Sequence, residues 1–195
     1  MFPIMLNIRG RKCTVAGGGN VAERKVKTLL KYGADVTAVS PVFKDRFPNV
    51  KRLEKEYSSS DIKNSFLVIA ATDNKEVNQT IYNDAKKRNI LVSLSDDTEH
   101  SDFILPSSKN YDDITISVST NGKSPALAKK ISQIKSNDLE LYASILPIIE
   151  KYRSILTSEI RDTKKEILNF MVCDEMLEIA KESLELYEQK IKEKI

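Results

Sequence analysis

Short apolar runs rich in β-branched residues alternate with amphipathic stretches through the first half of the chain. The apolar runs, which predict strands, are residues 13–16, 35–40, 66–71 and 91–95. Between them, residues 21–32 and 74–88 carry apolar side chains at helical spacing, which predicts two helices. Such alternation is typical of βαβ units, so the pattern predicts an α/β fold with a parallel sheet.

The first predicted helix has an expected inner face and an expected end. Val21, Leu29 and Leu30 are its large apolar residues, and we expect them to pack on the sheet. Gly33 follows directly, and it is expected to end the helix as a C′ residue.

Two more strands are predicted after this alternating part. Residues 104–107 and 114–119 have strand-like patterns, and the polar residues 109–113 are expected to form the turn between them. This change of pattern predicts a domain boundary near Asp112.

The rest of the chain has a helical pattern throughout. All six glycines lie at or before Gly122. Beyond Ser124, apolar residues recur at helical spacing in series that begin at Leu139, Ile160 and Leu177. We therefore expect three or four C-terminal helices.

Composition narrows the class of protein. The 195 residues include 31 basic and 28 acidic side chains, and the net charge of +3 is too small to indicate a nucleic-acid-binding protein. The apolar stretches are far shorter than the roughly 20 residues that cross a bilayer, and residues 1–10 lack a signal-peptide core. Cys13 and Cys173 have no CxxC partner, so we expect reduced thiols in a cytoplasmic protein. With His100 as the single histidine, a histidine-rich metal centre is excluded.

A glycine-rich loop joins the first predicted strand to the first predicted helix. Gly17, Gly19 and Ala22 have the spacing of a dinucleotide-binding turn. The first glycine permits the turn, the second lets the backbone approach a pyrophosphate, and the alanine allows close helix packing. Asn20 and Val21 open the helix whose N-terminal N–H groups would meet the phosphates. The alternative is a tight strand-to-helix turn without a ligand.

The ends of the next two strands bear on the type of cofactor. An acidic residue often binds the ribose at the end of the second strand, but this chain has Ser40 there. A serine hydroxyl is able to bind a ribose, whereas Lys44 and Arg46 are placed to meet a 2′-phosphate, and we prefer NAD to NADP. Thr72 is expected to contact the dinucleotide. Asp73 either contacts it too or caps the following helix.

A polar loop, residues 95–102, follows the last predicted parallel strand. Loops at the carboxyl ends of parallel strands share one edge of the sheet, so its carboxylates are expected beside the nicotinamide end of the cofactor. Asp96 lies nearest to the strand and is the candidate general base. The alternative is a solvated acidic loop. We expect His100 to be an exposed loop residue and not a catalytic acid.

A second anion site is predicted where the C-terminal helices begin. Ser124 followed by Pro125 is typical of an N-cap and a proline in the first helical position. Lys123 precedes this helix start, and the pair suits a ligand that carries carboxylates. The alternative is a plain, well-capped helix start.

Four segments in unbroken order resemble the precorrin-2 dehydrogenase family, which also forms the N-terminal half of multifunctional siroheme synthases. They are GGGNVAERK at 17–25, AATD followed by VN at 70–78, SDD followed by DFI and P at 95–106, and SxxGKSPALA at 119–128. The resemblance runs from Met1 to about Ile131. Beyond about Leu139 only helical character and length agree.

The resemblance implies oxidation of the tetrapyrrole precorrin-2 to sirohydrochlorin, with NAD as hydride acceptor, in siroheme biosynthesis. It implies that Asp96 is catalytic and that Ser124 lies near the tetrapyrrole, whose carboxylates Lys123 would attract. It also implies an intertwined homodimer. Because 195 residues leave no room for the methyltransferase of the fused synthases, we expect a stand-alone dehydrogenase.

The pattern and the resemblance together predict a Rossmann-type, doubly wound parallel sheet, followed by a small β/α segment and a helical domain. We expect an NAD-binding domain at 1–112, a dimerisation segment at 113–138 and an all-helical domain at 139–195.

Two other functions are compatible with the sequence. In the first, the enzyme also inserts ferrous iron into sirohydrochlorin, with Asp96 taking protons from the pyrrole nitrogens, and iron is then a substrate without a resident metal site. In the second, the chain is an NAD-binding redox-sensing module. The segments around Asp96 and Ser124 argue against the second function, because a sensor needs neither a base nor an anion site.

Overall fold

The computed structural model describes residues 1–133, 137–156 and 161–195. Its backbone divides into two compact units, Met1–Leu105 and Pro106–Ile195. Each unit has its own apolar core.

A five-stranded parallel sheet is the centre of the first unit. Its strands are β1 (Lys12–Ala16), β2 (Asp35–Ser40), β3 (Lys51–Glu54), β4 (Leu67–Ala70) and β5 (Leu91–Leu94). They lie in the order β3-β2-β1-β4-β5, so the strand order reverses beside β1. In a doubly wound sheet, ligands bind in the crevice at the carboxyl ends of the strands at this reversal.

Two helices, α1 (Asn20–Lys31) and α2 (Lys75–Lys87), cover opposite faces of the sheet. The buried residues of α1 are Ala22, Val26 and Leu29, which share one face at helical spacing. Val21 and Leu30 lie off that face and are 43% and 39% exposed, so the prediction that they pack on the sheet is wrong. The predicted Rossmann-type, doubly wound fold is confirmed.

The structure corrects the prediction for two strands. β3 was not predicted, because its sequence KRLE is polar and the strand lies at the edge of the sheet. The strand predicted at 104–107 is wrong: β6 comprises Ser107–Tyr111 and pairs antiparallel with β7 (Ile114–Val118). The sequence SSKNY of β6 is polar enough to resemble a turn.

The second unit continues with five described helices, so the expected three or four is wrong. They are α3 (Pro125–Ser132), α4 (Asn137–Ile155), α5 (Arg161–Met171), α6 (Asp174–Glu182) and α7 (Leu184–Lys194). Extended backbone at Cys173 and Ser183 separates the last three, although the apolar spacing runs on across these breaks. Ile160, where one predicted series begins, lies outside the described residues.

The helices α4 to α7 enclose a core of their own. Tyr187 is fully buried in it and donates a hydrogen bond of 2.9 Å to the carbonyl oxygen of Met171. Burial raises the pKa of this tyrosine to about 12. Among the described residues, no helix has both the length and the apolar character that a membrane span requires.

The division between the units falls at 105/106, ahead of the boundary that we expected near Asp112. The pairing of β6 with β7 keeps both strands in the second unit. The three-part division into residues 1–112, 113–138 and 139–195 stays a prediction.

Candidate functional site

Three loops meet at the carboxyl edge of the sheet. The amide of Ala71 donates to the carbonyl of Ala16 (2.8 Å), and the amide of Ser95 donates to that of Ala70 (2.9 Å). These bonds continue the pairing of β1, β4 and β5 into the segments that follow them. The glycine loop and the segments that contain Thr72 and Asp96 are therefore neighbours along one edge.

The first two glycines of the loop are required by the fold. Gly17 has a φ of 124°, and a Cβ there would overlap the carbonyl oxygen of Ala71. A Cβ on Gly18 would overlap the carbonyl oxygen of Val42. Sequence reasoning assigned Gly18 no role, because the middle residue of a Gly-x-Gly pattern gives no signal of crowding.

The third glycine is different. Gly19 has an ordinary φ of −88°, and a Cβ there would meet no protein atom within 4 Å. It is the N-cap of α1, and no side chain caps the first turn, so N–H groups there are open to a ligand. The fold does not demand a glycine here, whereas close approach of a pyrophosphate would. With Asn20 and Val21 also exposed, this start of α1 fits a dinucleotide.

Lys44 is fixed on the first turn of α1. Its Nζ donates to Asn20 Oδ1 at 2.6 Å and lies 2.7 Å from Glu23 Oε2, while Lys27 Nζ lies 2.6 Å from the other oxygen of Glu23. The hydrogen bond from Lys27 has the largest effect on the pKa of Glu23, which it lowers, and the hydrogen bond from Lys44 lowers it further. Of the two cations predicted to meet a 2′-phosphate, Lys44 is therefore already paired with an acidic residue, while the contact of Arg46 with such a phosphate stays a prediction.

Ser40 lies at the predicted ribose position with its hydroxyl in use. It is 9% exposed and donates a hydrogen bond of 2.7 Å to the carbonyl oxygen of Val42. Its contact with a ribose stays a prediction. The side chain of Val42 is 76% exposed beside the glycine loop and offers an apolar surface of the kind that suits a nucleobase. A single valine in a loop gave no signal of this in the sequence.

Asn74, and not Asp73, caps α2. The Asn74 side-chain oxygen accepts from the amides of Glu76 (2.8 Å) and Val77 (3.2 Å), so the capping alternative for Asp73 is wrong. Asp73 itself is exposed, and its contact with the cofactor stays a prediction.

Thr72 and Asp96 are joined by one residue that sequence reasoning did not single out. The Asn78 side chain accepts a hydrogen bond of 2.7 Å from the Thr72 hydroxyl, and its Nδ2 lies 3.4 Å from each carboxylate oxygen of Asp96. Asp96 is exposed at the end of β5. One feature of the sequence could have indicated Asn78. It is polar, although its helical spacing from Ile81 and Ala85 places it on the buried face of α2.

The loop after Asp96 is held in place by its own side chains. Ser101 Oγ accepts from the amide of Leu94 (2.8 Å) and donates to the carbonyl of Asp97 (2.7 Å). His100 Nδ1 lies 2.7 Å from Asp97 Oδ2. The hydrogen bond from the backbone N–H of His100 has the largest effect on the pKa of Asp97, which it lowers, and the hydrogen bond from the His100 ring lowers it further. His100 is exposed, as predicted.

Lys123 and Ser124 belong to the second unit. Ser124 caps α3, since its Oγ accepts from the amide of Leu127 at 3.3 Å, and Pro125 is the first helical residue, as predicted. The first turn of α3 contains no acidic residue, and the Lys123 side chain is exposed. This helix start suits an anion, and its contact with a substrate stays a prediction.

An open cavity of about 660 Å³ lies at the other edge of the same sheet. It is lined by residues around the starts of β1, β4 and β5, among them Lys12, Phe66 and Leu91. The candidate site therefore does not coincide with this cavity. It is identified by the strand order and by the loops at the carboxyl edge of the sheet.

Two family models match parts of the chain. Residues 4–107, more than half of the chain, match the family model described as putative NAD(P)-binding. Residues 112–131 match a model described as the central part of a sirohaem biosynthesis protein.

Curated relatives include two siroheme synthases. That of Photobacterium profundum is 42% identical over 138 residues, which are 68% of this chain and 29% of the relative. That of Nitrosococcus oceani is 34% identical over 166 residues, 82% of this chain and 36% of the relative. The chain thus spans about a third of the length of these relatives.

A solved structure titled SirC, precorrin-2 dehydrogenase, has the same fold. It matches with a TM-score of 0.76 and covers 99% of this chain and 100% of its own. The sequence identity is 24%, so this likeness concerns the fold alone.

Proposed function

The chain belongs to the family of putative NAD(P)-binding proteins, and from that premise we propose that it oxidises precorrin-2 to sirohydrochlorin with NAD in siroheme biosynthesis. One observation carries the proposal: a carboxylate, Asp96, follows β5 at the same edge where the glycine loop follows β1. The substrate class is supported by the relatives, which are named siroheme synthases, and by the fold neighbour, which is named a precorrin-2 dehydrogenase.

NAD, once bound, supplies a hydride acceptor. We assign its pyrophosphate to the uncapped first turn of α1, where Gly17, Gly19 and Ala22 shape the approach and Asn20 and Val21 lie at the surface. The pairing of Lys44 with Glu23 supports NAD over NADP, because a 2′-phosphate would have to compete with the Glu23 carboxylate for that cation.

We assign the proton of the reaction to Asp96. Precorrin-2 would lose two hydrogens, one as a hydride that bound NAD would accept and one as a proton, and a double bond would form in the macrocycle. An ionised Asp96 accepts that proton and releases it to water. The exposed position of Asp96 suits exchange of the proton with solvent.

The many carboxylates of the substrate call for anion sites. We assign one to the start of α3, where the Lys123 cation precedes a helix N-terminus that Ser124 caps. In this role Lys123 and Ser124 affect substrate binding and leave the binding of NAD unchanged.

The role of Asp96 is tested by Asp96→Asn. This variant keeps the side-chain size but cannot accept the proton, so kcat with precorrin-2 is expected to fall about a hundredfold or more. The Kd for NAD, measured by calorimetric titration, should stay within about threefold. Unchanged turnover would remove Asp96 from the mechanism, and loss of NAD binding would show a structural role instead.

We propose that the chain acts as a homodimer in the cytoplasm. β6 and β7 form a sheet of two strands, and a strand edge is a surface on which a second copy is able to pair. Its cysteines, Cys13 and Cys173, are free thiols, as suits a reducing compartment. Sedimentation equilibrium tests the assembly, and a monomer at micromolar concentration would contradict it.

A second activity, insertion of ferrous iron into sirohydrochlorin, is favoured by the names of the relatives, which refer to siroheme. Asp96 would then take the protons of the pyrrole nitrogens, with iron as a substrate. The test supplies sirohydrochlorin and ferrous iron without oxygen and follows siroheme against a control without enzyme. A rate equal to that control would remove this activity.

A further inference from the structure

Asn78 is a polar residue on the buried face of α2. It is 3% exposed, while Ile81 and Ala85 on the same face are fully buried. An amide removed from water has to find hydrogen-bond partners within the protein. Its position in the sheet-facing row would otherwise suit an apolar side chain, so its partners identify its role.

One end of the amide holds the loop that follows β4. Asn78 Oδ1 accepts from the Thr72 amide at 3.2 Å and from the Thr72 hydroxyl at 2.7 Å. Thr72 is the residue of this loop that the sequence predicts to contact the dinucleotide. This contact fixes the direction in which that loop leaves the sheet.

The other end of the amide faces Asp96. Asn78 Nδ2 donates to the Thr72 carbonyl at 3.2 Å and lies 3.4 Å from both Asp96 oxygens. The orientation of the amide follows from these partners, because the Thr72 N–H requires an acceptor and the carboxylate requires a donor. Reversing the amide would set two acceptors against each other.

We infer that Asn78 is a positioning residue that holds the carboxylate of Asp96 beside the loop that contains Thr72, so that one side chain orients both the base and a predicted cofactor contact. The two loops follow neighbouring parallel strands, since Ala70 of β4 lies opposite Leu94 of β5. Asn78 spans both from α2. This inference rests on the proposed function, because it assigns Asn78 a task only if Asp96 is the base.

Asn78→Asp separates the two ends of the amide. The aspartate keeps an oxygen for the Thr72 N–H and hydroxyl, but it replaces the Nδ2 donor to Asp96 and to the Thr72 carbonyl with a second carboxylate oxygen. We expect kcat to fall about tenfold to a hundredfold, as for loss of a hydrogen bond to a charged group, with the Kd for NAD within about threefold. The acidic limb of the pH profile of kcat should move to higher pH, because two adjacent carboxylates bind a proton more tightly than one.

A double-mutant cycle gives the second readout. If Asn78 acts through Asp96, the Asn78→Asp change lowers kcat far less when Asp96 is already asparagine. Full additivity of the two effects would contradict the inference. A residue that only stabilises the fold would lower the melting temperature and weaken NAD binding, and it would leave the pH profile in place.

Two further variants keep the test decisive. Asn83→Asp makes the same substitution on the exposed side of α2 and should leave kcat unchanged. Asn78→Ser adds no charge to the buried site, and its side chain is too short to span Thr72 and Asp96; it should also lose about tenfold in kcat.

If Asp96→Asn abolishes turnover but both Asn78 variants match the unmodified enzyme, the inference is wrong and the proposed function stands. If Asp96→Asn has no effect, the proposed role of Asp96 is wrong, and the inference about Asn78 is overturned with it.

Discussion

Lys44 Nζ lies 2.7 Å from Glu23 Oε2, which ties the loop after β2 to the first turn of α1. Lys27 contacts the other oxygen of the same carboxylate at 2.6 Å. One acidic residue thus compensates two cations at the helix start to which we assign the dinucleotide. This contact makes Lys44 less available to a ribose phosphate than its position in the loop suggests.

The cofactor preference should therefore depend on Glu23. Glu23→Gln leaves Lys44 and Lys27 without their counter-charge, and the affinity for NADP is expected to rise about threefold to tenfold relative to NAD. Calorimetric titration of both cofactors measures the ratio. Glu178→Gln, which removes a similar partner from Lys181 in the second unit, is the control. An unchanged ratio in Glu23→Gln would contradict this account of NAD selection.

The glycine loop offers a second test, because Gly17 is required by the fold whereas Gly19 is required only by the proposed ligand. Gly19→Ala meets no protein atom, so the free energy of unfolding should fall by no more than about 1 kcal/mol. The added methyl group lies where the pyrophosphate is assigned, and NAD affinity should fall at least about tenfold. Chemical denaturation and NAD titration are measured on the same sample.

Gly17→Ala is the matched comparison. An alanine at this φ of 124° would also overlap Ala71, so the free energy of unfolding should fall by about 3 kcal/mol or more, whether or not NAD is present. If Gly19→Ala binds NAD normally, the pyrophosphate does not lie at the start of α1.

Cys13 predicts how the first unit responds to alkali. Burial, with a smaller effect of Asp35, raises the pKa of its thiol to about 11. The pKa of a cysteine thiol in an unfolded chain is about 8.5. Below that pH the thiol is protonated in both the folded and the unfolded state, and its full contribution to the stability of the fold is present. As the pH rises from there to about 11, the unfolded chain ionises first and stability is lost. Urea unfolding of the unmodified chain and of Cys13→Ala should show a steeper alkaline decline in the former.

Thiol labelling checks the same point without a variant. At about pH 8, a thiol reagent should modify the partly exposed Cys173 in the folded protein and reach Cys13 only after unfolding. Rapid labelling of Cys13 in the native state would show that the first unit opens readily.

Much of the first unit could be predicted from the sequence. Buried parallel strands are continuous apolar runs, and the strand at residues 35–40 was predicted with the bounds that it has in the structure. β6 was misplaced because its stability comes from pairing with β7, which a local apolar pattern does not record. The same holds for β3, a polar edge strand.

The candidate site divides in the same way. Gly19 and Asp96 were found because spacing and strand ends are visible in a sequence. Asn78, the pairing of Lys44 with Glu23, and the exposed Val42 depend on contacts between distant segments. The family resemblance was confirmed for the NAD(P)-binding region, while the roles of the individual site residues stay predictions.

The proposed dehydrogenation is tested most directly by the stoichiometry of its two products. The purified chain is incubated with precorrin-2 and NAD without oxygen, and NADH and sirohydrochlorin are quantified together by absorbance. We expect both products to form in equal amounts, only in the presence of the enzyme, and slowly with the Asp96→Asn variant. Sirohydrochlorin without NADH, or no NADH above the control without enzyme, would contradict it.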